Sequence, residues 1–205
     1  MSQPIEKQIL TNQSSKVLTF FLAFVLACPT LAYDSPLSAE SIRDAYSIGQ
    51  RHDAQFLAQY QRNIPTLEVK ESMCVSSVRL ETPFLQIVNF ANEEPNYSAQ
   101  DAVKQFYGRP LPFRIFLDIC YMPAAPPPGA LKIKLIQNKK MLIPTIEKRD
   151  FYIPVGGDYQ TLASDGERIQ LEFSADQISS LTLTLQVDTP DKQHAEIELD
   201  LSTLR

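Results

Sequence analysis

Beyond Pro65 the chain keeps apolar residues at every second position, in short runs separated by turn formers. An extended strand sends successive side chains to opposite faces, so such runs carry one dry face and one wet face. Val78 and Leu80 alternate with Ser77, Arg79 and Glu81, and Phe113, Ile115, Leu117, Ile119 and Tyr121 form one apolar face. Leu131, Ile133 and Leu135 do the same around Lys132 and Lys134. Three further runs follow: Ile169, Leu171 and Phe173; then Leu181, Leu183, Leu185 and Val187; then Ala195, Ile197, Leu199 and Leu201. Phe84 to Phe90 (FLQIVNF) is apolar on both faces and reads as a central strand. Seven or more short strands predict a mainly β chain, an antiparallel β-sandwich of immunoglobulin-like or C2-like type or an open barrel. Fifteen prolines against six glycines suit short elements ended by stiff turns.

Two segments depart from that pattern. Ser38 is placed to cap a helix running to Asn63 and ended by Pro65, with Ile42, Ala45, Tyr46, Gly49, Phe56, Leu57 and Tyr60 near a 3.6-residue period. Ile42, Tyr46, Gly49 and Phe56 are expected to dock it on the sandwich, Gly49 allowing close backbone approach. Ser98-Ala99-Gln100-Asp101 forms a capping box with aspartate in place of glutamate and opens a short helix between strands, ending near Gly108-Arg109-Pro110. Pro123 to Gly129 (PAAPPPG) reads as a rigid spacer. The organisation expected is a leader over 1–32, a helix packed on the domain within 33–66, and a β-sandwich domain over 67–205.

The leader carries Lys7 and Lys16 ahead of the apolar run Val17 to Ala27. Eleven residues rise about 16 Å as a helix, short of a bilayer core of about 30 Å. Pro29 and the small residues Thr30 and Ala32 then complete the layout of a signal peptide cleaved after Ala32. Val25-Leu26-Ala27-Cys28 also resembles a lipobox, the alternative being a lipoprotein anchored through Cys28. Either way the mature domain is expected outside the cytoplasm, periplasmic or secreted. Losing two lysines and one glutamate takes the net charge from −5 to −6, against a nucleic-acid partner.

Ser41 to Arg51 (SIRDAYSIGQR), with Asn96 to Gln100 (NYSAQ), resembles a group of exported bacterial proteins that carry no assigned activity. The resemblance implies a bacterial envelope setting and a helix motif packed on a β domain. It transfers no catalytic residue.

No G-x-S-x-G, H-E-x-x-H, P-loop or C-x-x-C stands in the sequence, and no catalytic residue, metal ligand or cofactor is assigned. His52 beside Asp53 reads as two solvated helix residues, because neighbours on a helix point apart. Gly156-Gly157-Asp158 reads as a turn. His194, Glu196, Glu198 and Asp200 share one face of the last strand, opposite Thr182, Thr184 and Gln186, and read as a wet outer face. Asp188 and Asp191 in one turn, with Asp158 and Asp165 in another, are the alternative for calcium. Lys132, Lys134, Asn138, Lys139, Lys140, Lys148 and Arg149, with Tyr152 and Tyr159 nearby, form a basic hairpin that protects a sheet edge or meets anionic lipid or polysaccharide. Counting back from Val78 places Cys74 on the core face and Cys120 on the opposite one, so both thiols are expected free. The function expected is that of a non-enzymatic interaction or accessory protein of the envelope, with an unknown envelope protein or polymer as partner. The alternative is a small extracytoplasmic hydrolase using a carboxylate pair.

Overall fold

The structure, a computed structural model, describes residues 35–58, 61–62, 67–69, 73–94, 96–121, 131–152, 166–188 and 194–202, with 190, 192 and 204. The leader with Cys28, the proline-rich spacer and the 156–158 turn lie outside the described residues, as do Tyr159, Asp165 and Asp191. The chain is mainly β. Strands β1 (Gln61–Arg62), β2 (Leu67–Val69), β3 (Met73–Glu81), β4 (Phe113–Tyr121), β5 (Lys132–Gln137), β6 (Lys140–Leu142), β7 (Ile146–Tyr152), β8 (Gly166–Phe173), β9 (Thr182–Asp188) and β10 (His194–Asp200) form two antiparallel sheets. One has the order β1-β3-β4-β8-β7, with β2 also on β3; the other has the order β10-β9-β5-β6. The dry positions of both meet in one core: Val78, Leu80, Phe113, Ile115, Leu117, Ile169 and Phe173 from the larger sheet, and Leu135, Leu183, Leu185, Ile197 and Leu199 from the smaller. Two sheets sharing one core make a β-sandwich-like arrangement.

Helices α1 (Ala39–Gly49), α2 (Ala54–Ala58), α3 (Pro83–Glu93) and α4 (Ala99–Phe106) join the same compact unit, which runs from residue 32 to 205. α3 overturns the reading of Phe84 to Phe90 as a strand. Thr82 caps it, its Oγ1 accepting from the Leu85 amide at 3.2 Å, and Pro83 fills the first turn, where no amide partner is needed. Phe84, Ile87, Val88 and Ala91 are buried at helical spacing. Ser98 caps α4 as expected, and Asp101 accepts from the Ser98 hydroxyl and from Lys104.

The first helix is also corrected. It stops at Gly49, and His52 takes a left-handed φ of 52°. Asp53 then caps α2, its Oδ1 accepting from the amides of Gln55 and Phe56. α1 packs on α3 and α4. The Tyr46 hydroxyl donates to the Tyr97 carbonyl, so the SIRDAYSIGQR and NYSAQ segments touch. Gln50 Nε2 donates to the Ala91 carbonyl at 2.6 Å. Phe90 meets Tyr97 and Phe106 edge to face at 5.0 and 5.2 Å.

A bulge at Ser76 overturns the parity count for the cysteines. Val75 pairs with Ile119 but Ser77 pairs with Asp118, so one extra residue sits in β3. Val75 and Val78 are both buried although three apart. The shift takes Cys74 off the parity of Val78 and sets it opposite Cys120, which is disulfide-bonded.

A side chain at Gly49 has no room. A Cβ there would lie 2.7 Å from the Ala91 Cβ and closer still to the Val88 carbonyl oxygen. Alanine favours a helix interior by about 1 kcal/mol over glycine, yet overpacking costs about 1–3 kcal/mol. Gly49→Ala is therefore expected to lower stability in urea denaturation; equal or higher stability would show that α1 does not rest on α3.

Candidate functional site

The outer face of the larger sheet is a ladder of paired charges set by strand register. Arg114 stands between Glu81 and Glu172, its Nη1 3.1 Å from one carboxylate and its Nε 2.8 Å from the other. Asn89 of α3 donates to the same Glu81 at 2.8 Å, tying the helices to the sheet. One rung along, the Arg79 guanidinium lies 4.4 Å from the centre of the Phe116 ring. On the next, Asp118 accepts from Arg168 at 2.7 Å and from Ser77 at 2.8 Å. Burial pushes its carboxyl up, but the Arg168 and Ser77 hydrogen bonds outweigh that and hold it low. Each carboxylate on these two charged rungs has a cation beside it, so this face is a structural brace.

The last strand presents its acids outward, as expected. Along β10, Ala195, Ile197 and Leu199 are buried while His194, Glu196 and Glu198 are exposed. Glu196, Glu198 and Asp200 lie opposite Gln186, Thr184 and Thr182. His194 joins Asp188, Nδ1 to Oδ1 at 2.6 Å, and Glu196, Nε2 to Oε1 at 3.2 Å; Lys134 joins Asp188 at 2.7 Å. Among the described residues no three His, Cys, Asp or Glu side chains gather as a metal site. Asp188, the one described member of the calcium candidates, is engaged by Lys134 and His194. His52 and Asp53 do not act together: the histidine bonds Asn92, the aspartate caps α2.

The basic residues are divided between the sheets. Lys132, Lys134 and Lys140 lie on the smaller sheet, and Asn138 and Lys139, both at positive φ, make the tight β5–β6 turn. Lys148 and Arg149 lie on β7 of the larger sheet, as does Tyr152. Arg149 reaches Glu147 at 2.7 Å, the fully buried Glu167 at 3.3 Å and the Leu131 carbonyl at 3.1 Å.

What the sequence alone did not reveal is the set of exposed apolar side chains in the segment from Lys140 to Tyr152. That segment crosses from the edge of one sheet to the edge of the other, and Met141, Ile143, Ile146 and Phe151 are exposed along it. A cleft of about 530 Å³ opens beside β6, lined by Lys140, Met141, Ile143 and Asp176. Gln137 at its base is spent on structure, donating to the Gln177 carbonyl and Ser179 and accepting from the amides of Ser179 and Ser180. The Gln177 Oε1, also in the wall, is buried without a donor among the described residues. Apolar side chains exposed on edge strands and on the connection between them suit the docking of another chain.

No protein-family model, no curated protein and no solved structure matches this chain. Among the described residues, no helix is long and apolar enough to cross a membrane.

The Asp188 and Glu196 hydrogen bonds raise the His194 pKa above its ordinary value. A raised folded-state pKa adds stability below the unfolded-state pKa, and that contribution is lost as pH rises through the folded value. An NMR titration should place His194 above an ordinary histidine, and Asp188→Asn should bring it back down. An ordinary midpoint in the unaltered protein would contradict the pairing.

Proposed function

We propose that the chain is an exported, non-enzymatic interaction or accessory domain of the bacterial cell envelope. The observation that carries this reading is the disulfide at Cys120, whose register partner is Cys74. Disulfides persist in oxidising compartments and are rare in the cytosol. The signal-peptide layout over 1–32 and the resemblance to exported bacterial proteins support the same setting. The interaction role is supported by Met141, Ile143, Ile146 and Phe151, exposed along the segment that joins an edge strand of one sheet to an edge strand of the other.

The immunoglobulin-like subtype is the finer reading we favour over C2-like. Its support is strand order: β3-β4-β8-β7 and β10-β9-β5-β6 follow the sequence A-B-E-D and G-F-C with an added edge strand. The chain departs from antibody domains in having no tryptophan, and in a cysteine pair that lies in register within one sheet. An interaction role agrees with that architecture by analogy alone.

Full-length chain with a C-terminal tag, expressed in a bacterium, should fractionate outside the cytoplasm. Mass spectrometry should find Tyr33 at its N-terminus. A lipidated Cys28 would keep the export reading and replace cleavage by anchoring. Uncleaved protein in the cytoplasm would overturn both. Purified wall and surface polymers should release no fragments on incubation with the protein. Release abolished by removing one carboxylate would replace the accessory role with a hydrolase.

A further inference from the structure

Among the described residues, strand β7 (Ile146–Tyr152) bonds β8 on one side and no strand on the other. Such a row of unpaired amides and carbonyls is a template for a further strand. Edges kept from pairing carry charge that repels any newcomer, and lysine is the usual device. β7 instead carries both signs, Glu147, Lys148, Arg149 and Asp150, with the apolar Ile146 and Phe151 at 41% and 50% exposure.

Register with β8 sorts these residues by face. Ile146, Lys148 and Asp150 align with Glu172, Gln170 and Arg168 on the outer face; Glu147, Arg149 and Phe151 align with Leu171, Ile169 and Glu167 on the core side. A second β7 laid antiparallel, with the two-fold axis at Arg149, sets Lys148 opposite Asp150 of the other copy, and the reverse. Opposite charges facing across a ladder attract, so this strand is complementary to itself. The axis brings the two Arg149 side chains together. Each is already held by Glu147 and by the buried Glu167, so its charge is compensated within its own copy. Phe151 falls opposite Glu147 of the other copy and loses exposed surface to the seam.

We propose that the partner of this edge is a second copy of the chain, joined β7 to β7 with the two-fold axis at Arg149, so that the larger sheet continues through a homodimer. The proposal rests on the edge alone and stands apart from where the protein is exported.

The test is the mass of the full-length protein by light scattering over a dilution series. Twice the chain mass is expected at high concentration, falling toward one chain on dilution. Lys148→Asp replaces both attractive pairs by repulsive ones and should weaken the dimer about tenfold. Lys148→Asp with Asp150→Lys restores the pairs in reverse and should recover the dimer. Both side chains are exposed, so the melting temperature at monomer concentrations should not move. Arg149 is left intact, because it pairs with the buried Glu167 and removing it would perturb the fold. A protein monomeric at every concentration would overturn the proposal. So would a dimer indifferent to Lys148→Asp, a double variant that fails to recover, or binding of a different extended chain to β7 in place of a copy.

Discussion

The antiparallel pairing of β3 with β4 is the contact on which the other elements depend. Both strands are nine residues long and lie inside the larger sheet. One face of the pair supplies Val78, Leu80, Phe113, Ile115, Leu117 and Ile119 to the core, all with no measurable exposure. At roughly 1.5–3 kcal/mol for each fully buried aliphatic or phenyl side chain, this is among the largest favourable contributions in the domain. The other face carries the Glu81–Arg114–Glu172 bridge and the disulfide position. The bulge at Ser76 lets Val75 and Val78, three residues apart, both enter the core.

From that pair the chain reaches the helices without leaving the core. β3 ends at Glu81, Thr82 caps α3, and Pro112 leads back into β4, its carbonyl accepting from Gln86. The helical insertion is held by a backbone approach at Gly49 and by the Tyr46 hydroxyl on the Tyr97 carbonyl. It braces the sandwich and leaves the β6 and β7 edges without a further strand among the described residues. An interaction surface on edge strands therefore costs the core nothing: the side chains exposed there, Met141, Ile143, Ile146 and Phe151, stand outside the buried cluster.

Legibility in the sequence followed solvent exposure. Strands with one wet face, such as β9 and β10, alternate cleanly and were readable residue by residue. FLQIVNF was not, because a short, mostly apolar run looks alike as strand or helix; Thr82-Pro83 and the spacing of Phe84, Ile87, Val88 and Ala91 were the available signals. β7 was invisible as a strand for the opposite reason. It is exposed on both faces for most of its length, so IEKRDFY has no alternation to read. That is also why the candidate surface was missed. The bulge left no trace beyond two adjacent serines, and one unseen residue inverted the face assigned to Cys74.

The proposed oxidising compartment hangs on the disulfide at Cys120, and a peptide map of the unreduced protein purified from cells reads that bond directly. Digestion under thiol-blocking conditions should yield the peptide containing Cys74 linked to the one containing Cys120, with the bond already present at the moment of lysis. Blocked, unlinked peptides would contradict the bond and the oxidising setting proposed from it, and Cys120 joined to Cys28 would contradict the pairing with Cys74 that the bulged register sets up.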